Sequence, residues 1–327
     1  MPLSENIDLF NLISRHRLIF SYSFFGKIYR RLIILGFALK GKAKFSARVL
    51  SLLPYKFVPR KHLPVVNSLL SSVIAQKLFN QDFKKPFKIL DYEFDCYWPE
   101  TKDAQDLLLA ALGWEISSLM VLDQYCAKEF LKNDSVVIDV GSNIGLFSLF
   151  ASRICPNGQI YSFEPNSKNF SMFQRNILKN QINNIKVFPY ALGNESGTRK
   201  LFKFKEGLDS VDGGATLEDS SFNYQNPLYD TDVKNSESVK LITLDEFVEQ
   251  EKLTKVGFIK IDTEGYEKQV INGAKQTIKR FSPVIACSAY HFKNDKTDIP
   301  KLVSSFNKNY KYRLIKRAEL DFIFWPK

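Results

Sequence analysis

The chain has 327 residues, 45% hydrophobic and 25% charged, an ordinary globular composition with enough length for one large domain and an accessory region. Cys96, Cys126, Cys155 and Cys287 stand far apart and form no C-x-x-C pair, which excludes a scaffold stapled by disulfides or structural zinc. The formal charge of +11 is lopsided: residues 1–60 hold eleven Lys or Arg against Glu5 and Asp8, so the basic character belongs to the N-terminal segment and not to the body.

Within that segment Ser23, Lys27, Arg30 and Arg31 share one helical face, and Phe25, Ile28, Leu32, Leu35 and Leu39 recur on the opposite one. Such a basic amphipathic helix either lies on an anionic membrane surface or docks on the protein's own core, and the pattern leaves both open. It does not predict a span over Leu18 to Leu39. Lys27, Arg30 and Arg31 each cost roughly 2.5–3.5 kcal/mol at mid-bilayer, more than about a dozen apolar residues at about 0.5 each return. No signal peptide is read ahead of the cysteines, so the expected compartment is a reducing cytoplasm.

Pro54, Pro59 and Pro64 then punctuate the chain. The expected division is a mainly helical basic extension over 1–62, an accessory helix and strand region over 63–112, and the main domain over 113–327. Leu63 to Leu78 reads as a helix and Phe87 to Tyr97 as a strand or hairpin. Asp103 to Leu131 reads as a helix ending at the turn Lys132-Asn133-Asp134.

From there strand-like and helix-like periods alternate, which predicts a doubly wound, mostly parallel α/β sheet. The expected strands are Val136 to Val140, Gln159 to Glu164, Ile185 to Tyr190, Val256 to Ile261, Pro283 to Ala289, Tyr312 to Lys316 and Phe322 to Trp325. Helices are expected at Leu146 to Ile154, Ser167 to Gln181, Tyr266 to Arg280 and Ile299 to Asn309. An excursion interrupts this rhythm, with extra strands near Arg199 to Phe204 and Val239 to Thr243. Its polar centre, Glu206 to Ser238, is a long loop and the expected lid and acceptor-recognition element.

The strand Val136 to Val140 runs straight into Gly141-Ser142-Asn143-Ile144-Gly145 and a helix. Gly141 and Gly145 permit positive φ and close approach of a ligand, and Asn143 tolerates the left-handed region better than most residues. Glu164 ends the second strand, where a carboxylate can accept hydrogen bonds from both hydroxyls of an adenosine ribose. Turn and carboxylate, in this order on consecutive strands, point to a nucleoside cofactor. The fingerprint G-x-G-x-x-G is absent, and Asp139 just before the turn would repel a pyrophosphate while suiting the cationic groups of S-adenosylmethionine.

At this stage the sequence resembles the FkbM-type methyltransferase family, over about Gly113 to Val303. The matching blocks are Val137 to Gly145, Ser162-Phe163-Glu164-Pro165, Ala191-Leu192-Gly193, Phe258 to Gly265 with Gly273-Ala274, and Tyr290-His291 ahead of Ile299-Pro300. The resemblance implies a Rossmann-like, seven-stranded class I methyltransferase sheet and O-methylation of a hydroxyl, often on a sugar, glycan or secondary metabolite. It also implies that Glu115, beside Trp114, touches the cofactor. The first hundred or so residues lie outside the match.

On this reading Gly141, Asn143 and Gly145 hold the amino-acid portion of S-adenosylmethionine, Glu164 the ribose, and Ala191 and Leu192 the adenine. Asp262 holds the cofactor's charged end, orients the acceptor or caps the helix after Gly265. Glu264 reads as a first-turn helix residue favoured by the dipole. His291, whose ordinary pKa of about 6.5 suits the task, is the expected general base towards the acceptor. No metal is expected, because two carboxylates two residues apart are common at helix starts. A nicotinamide-dependent oxidoreductase and a non-catalytic binding module are the rival classes. Nucleic acid is not an expected partner, since Phe20, Tyr22, Phe24 and Tyr29 fall at helical spacing like core residues. A lipid-linked glycan at the cytoplasmic membrane face stays among the candidate acceptors.

Overall fold

The computed structural model describes residues 87–89, 92–94, 112–202, 215–217, 236–316 and 319–327. The basic amphipathic helix, the helix expected over Leu63 to Leu78 and most of the polar excursion lie outside the described residues. The expected hairpin is present as β1 (Phe87–Ile89) and β2 (Tyr92–Phe94), paired antiparallel. Tyr92 and Phe94 are buried in the core of the main domain. Asn180 ties the hairpin down, donating to the Glu93 carbonyl at 2.6 Å and accepting from its N–H at 3.0 Å.

The helix expected over Asp103 to Leu131 is broken in its described part. A π-helical turn over Ser117–Val121 gives way to left-handed residues Asp123 (φ 52°) and Cys126 (φ 56°), and α1 (Ala127–Phe130) restarts the helix. Asp123 is the physical cause: both its carboxylate oxygens lie 3.3 Å from the Lys128 N–H, capping the restarted turn.

Then come β3 (Val136–Val140), α2 (Leu146–Ile154), β4 (Gln159–Phe163), α3 (Ser167–Lys179) and β5 (Ile185–Phe188). Asn166 caps α3 by accepting from Lys168 and Asn169 N–H groups. The strand expected to run on to Tyr190 stops at Phe188. Tyr190–Leu192 forms β6, which leaves the main sheet and joins β7 (Gly197–Phe202) and β8 (Ser236–Ile242) in the order β6-β8-β7. The segment Ser236 to Ser238, expected as loop, is therefore strand.

A helix not expected from the sequence, α4 (Leu244–Gln250), follows. Thr243 caps it, accepting from the Glu246 N–H at 3.0 Å. After β9 (Phe258–Ile261), the single helix expected over Tyr266 to Arg280 is two, α5 (Glu267–Gly273) and α6 (Lys275–Phe281). The break sits where Gly273 touches the Gly193 backbone so closely that a Cβ would lie 1.8 Å from the Gly193 carbonyl oxygen. The Ala-Leu-Gly and Gly-Ala blocks thus meet each other in space. The chain closes with β10 (Val284–Ser288), α7 (Asp295–Phe306), β11 (Tyr310–Lys316) and β12 (Leu320–Pro326).

The main sheet has seven strands in the order β11-β12-β10-β9-β3-β4-β5, as the resemblance implied. Strands β5, β4, β3, β9 and β10 are parallel, and β12 inserts antiparallel between β10 and β11. Both faces are covered, as a parallel sheet requires. Val137, Ile160 and Phe258 pack towards α2, and Ile138, Tyr161 and Ile259 towards the α4, α5 and α6 side. Among the described residues no helix is long and apolar enough to cross a membrane.

Candidate functional site

Strand β3 is the point at which the chain's progress across the sheet reverses: β4 and β5 lie on one side of it, β9 and β10 on the other. Crevices of doubly wound sheets open at the carboxyl ends of such strands. Here the turn after β3 takes positive φ at Gly141 (73°), Asn143 (50°) and Gly145 (92°), as the residue types allow. Two different constraints select the glycines. At Gly141 a Cβ would lie 1.9 Å from the Asp262 carbonyl oxygen, so β3 and β9 can close the crevice floor only over hydrogen. At Gly145 it would meet the Phe173 ring of α3 at 2.1 Å, and Gly145 does not line the cleft. Its place is helix packing.

The cleft at this edge has ≈ 550 Å³, its open mouth included. Gly141, Asn143 and Glu164 line one wall, and Ala191, Leu192, Tyr190 and Phe163 make an apolar slot beside them. Glu164 is buried and accepts from the Asn143 N–H at 2.8 Å and the Asn166 N–H at 2.8 Å, one on each oxygen. Each oxygen keeps a lone pair for a further donor, so the carboxylate can take two ribose hydroxyls from a position already fixed. Burial pushes its pKa up to about 7, against the pull of those two N–H groups.

Leu201, Ala215 and Leu217 close the cleft from the excursion, and the Thr216 hydroxyl donates to the Glu264 carbonyl at 2.8 Å. Nothing local in the sequence marks these residues, because β7 and the bridge from Phe202 to Thr216 bring them in from far along the chain.

Asp139 stands differently from its expected place. Its side chain is fully buried and outside the cleft lining, on the face of β3 that looks towards α2. The sheet register sets Asp139 opposite Lys260 on β9 and Ser162 on β4. Lys260 Nζ lies 3.3 Å from the carboxylate and donates to the Gly141 carbonyl at 2.6 Å, while Ser148 donates to Asp139 at 2.6 Å. Burial alone would lower the Lys260 pKa, but Asp139, Asp262 and Glu115 hold it raised. The argument that Asp139 sets the cofactor's charge is corrected accordingly. The carboxylate is matched by Lys260 and presents no net charge at the turn; the pair instead fixes the turn's carbonyl.

The second wall is Asp262, Thr263, Glu264 and Tyr266, which follow β9. Asp262 lines the cleft and does not cap a helix: its carboxylate accepts from the Tyr125 hydroxyl at 2.8 Å. No side chain caps α5; Glu267, its first residue, reaches back into the preceding loop and accepts from the Thr263 N–H at 2.8 Å and the Gly265 N–H at 3.3 Å. Glu264 lies before α5, not in its first turn, with a left-handed φ of 53°. The expectation of a dipole-stabilised helix residue is corrected, because Gly265 (φ 105°) and Glu267 delay the helix start.

His291, which follows β10, does not line the cleft; its imidazole is 4% exposed and lies behind Glu264. Nδ1 lies 3.1 Å from Glu267 Oε1, and Nε2 lies 3.2 Å from Glu264 Oε2 and 4.0 Å from Asp262 Oδ1. Burial would lower its pKa, but Glu267 and Glu264 hold it well above the ordinary histidine value. The two carboxylates favour the protonated imidazole, which weighs against the expected base role. Glu115 does not line the cleft; it faces Lys260, Asp262 and Glu319, and burial pushes its pKa up to about 7. Lys260, Glu267 and Glu319 escaped the sequence reading, although a lysine inside the apolar strand Phe258-Ile259-Lys260-Ile261 is itself a signal.

The family described as Methyltransferase FkbM domain matches residues 139–314. "Methyltransferase 1" of Beauveria bassiana is 31% identical over 150 residues, 43% of this chain and 59% of that protein. "Hexuronic acid methyltransferase AglP" of Haloferax volcanii is 26% identical over 195 residues, 60% of this chain and 72% of its own length. "31-O-demethyl-FK506 methyltransferase FkbM" of Streptomyces tacrolimicus is 28% identical over 163 residues, 44% of this chain and 61% of that protein. The match thus spans less than two thirds of the Beauveria and Streptomyces relatives. With the family match running from the glycine turn through Asp262 and His291 into β11, the chain belongs to the FkbM methyltransferase family.

Proposed function

We propose that this protein transfers a methyl group from S-adenosylmethionine to a hydroxyl of a sugar, a glycan or a related secondary metabolite. The observation that carries the reading is the Glu164 carboxylate, held by the Asn143 and Asn166 N–H groups at the edge of a cleft whose glycine turn admits no Cβ. The cleft fits the cofactor. Glu164 takes the ribose hydroxyls, the slot of Ala191 and Leu192 takes the adenine, and the Gly141 to Asn143 backbone takes the amino-acid portion. Asp262 lines the cleft on the side where the cofactor's cationic groups would lie, with Glu115 facing it from outside the cleft.

The cofactor supplies a methyl group on a positively charged sulfur. An acceptor oxygen would displace it in line: the new C–O bond forms, the C–S bond breaks with its electron pair going to sulfur, and the hydroxyl proton passes to the Asp262 carboxylate or through it to water. Catalysis is then mainly positional, with Asp262 on the acceptor side of the cleft and His291 buried behind that wall. The names of the Haloferax and Streptomyces relatives support a hexuronic acid or an FK506-like acceptor, the second methylated at oxygen. A nicotinamide oxidoreductase loses ground to family membership, no longer to the charge of Asp139.

The test is transfer of labelled methyl from S-adenosylmethionine to glycan and lipid-linked glycan extracts. With the acceptor identified, His291→Ala should lower turnover roughly 100-fold, through lost positioning of the Asp262 and Glu264 wall, while cofactor affinity stays nearly intact. Turnover within a few fold of wild type would remove His291 from that role.

The surplus of basic residues in 1–60 supports peripheral contact with an anionic cytoplasmic membrane face, which would suit a lipid-linked acceptor. Vesicles containing anionic lipid should pellet the wild type in low salt and release it as salt rises, and should not pellet a variant with Lys27, Arg30 and Arg31 changed to Glu. Equal pelleting of the two would assign the basic face to the protein's own surface.

A further inference from the structure

Asp262, Glu264 and His291 each offer one ligand atom, and these atoms all lie within 4.8 Å of one another. Donors around a small divalent ion stand about 2.0–2.2 Å from it, hence about 3 Å from one another at right angles. The spacings of 3.2 Å from His291 Nε2 to Glu264 and 4.0 Å to Asp262 are of that order and need only a small contraction.

A separate feature of the site points the same way. Glu267, buried among the backbone N–H groups of Thr263 and Gly265, holds His291 Nδ1 at 3.1 Å and so turns Nε2 towards the two cleft carboxylates. A carboxylate behind the non-ligating nitrogen is the usual support of a metal-bound histidine, because it fixes both ring orientation and tautomer. Charge adds a third argument. Glu115, Glu319 and Asp321 also face Asp262, while Lys260 is spent on Asp139 and the Gly141 carbonyl. The ligand atoms of Asp262 and Glu264 lie within 4.8 Å of each other in this acidic surround, and a divalent ion would balance the two.

We propose that Asp262, Glu264 and His291 form a divalent-cation site on the acceptor side of the cleft. This departs from the expectation that no metal is held here. Two oxygens and one imidazole nitrogen suit Mn²⁺ or a similar first-row ion better than Ca²⁺. Asp262 and Glu264 line the cleft, so three protein ligands leave open positions towards it. Resting on the methyltransferase reading, those positions would take neighbouring oxygens of a polyhydroxylated or carboxylate-bearing acceptor, which the bare acidic wall would otherwise repel.

The experiment is Mn²⁺ titration of the full chain, followed by loss of the free-ion electron paramagnetic resonance signal, with S-adenosylhomocysteine titrated calorimetrically into the same samples. The wild type should remove one Mn²⁺ per chain without any cofactor present. Glu264→Gln and His291→Ala should each weaken uptake at least tenfold, and Glu267→Gln roughly 10- to 100-fold through the ring orientation. Glu264→Gln is isosteric and a quarter exposed, so it keeps the test open should His291→Ala not fold. No Mn²⁺ uptake by the wild type, or equal uptake by Glu264→Gln, overturns the cation site. S-adenosylhomocysteine binding without Mn²⁺ uptake would leave the cofactor reading standing. Mn²⁺ uptake without S-adenosylhomocysteine binding would do the reverse.

Discussion

Lys260→Met should lower the stability of the protein by about 3–5 kcal/mol, because it leaves the fully buried Asp139 side chain without its cationic partner. The methionine keeps most of the side-chain volume, so the loss reports charge and hydrogen bonding and little packing. The Gly141 carbonyl also loses its 2.6 Å donor, which should loosen the glycine turn. Adding Asp139→Asn should recover most of the loss, since the amide can still bond Ser148 and no charge remains unmatched. Urea denaturation of the two single variants and the double variant measures this directly. A Lys260→Met variant within about 1 kcal/mol of wild type would mean that water, not Lys260, satisfies Asp139.

That pair also shows where sequence reasoning reached and where it stopped. Strand β3 and helix α2 have the ends read from periodicity, and Glu164 lies where the second strand was expected to finish, because each depends on neighbours a few residues away. Asp139 was read as facing a ligand because its partner is 121 residues further on, and only the register of β3 against β9 brings Lys260 opposite.

The break at Ala274 has the same origin: Gly273 stops the helix because Gly193 passes beneath it, a contact no local pattern encodes. Helix α4 differs, since Thr243 and Glu246 carry a capping signal that was legible and passed unread. Within the site, the residue types at Asp262, Glu264 and His291 were readable. The turning of His291 by Glu267 was not, because it depends on how the loop before α5 folds back.

Glu164→Gln should weaken S-adenosylhomocysteine binding by about 1–3 kcal/mol, roughly 5- to 150-fold, by replacing a charged acceptor of two hydroxyls with a neutral amide. The pH dependence sharpens the assignment. Burial holds the Glu164 pKa at about 7, so the carboxylate is ionised above that value and protonated below it. The ionised form is the better acceptor, and wild-type affinity should therefore fall as pH drops from about 8 to 6. Burial also pushes Glu115 and Glu319 up to about 7, so they contribute to the same slope. The part lost in Glu164→Gln belongs to Glu164. An unchanged slope in the variant would remove the carboxylate from the ribose.

The account's central claim is that the cleft at the carboxyl ends of β3 and β4 is a site for the methyl donor. Calorimetric titration of the wild-type protein with S-adenosylhomocysteine, run beside an identical titration with NAD⁺, tests it most directly. The account predicts one S-adenosylhomocysteine bound per chain and no heat from NAD⁺. NAD⁺ binding, or no binding of S-adenosylhomocysteine, would contradict it.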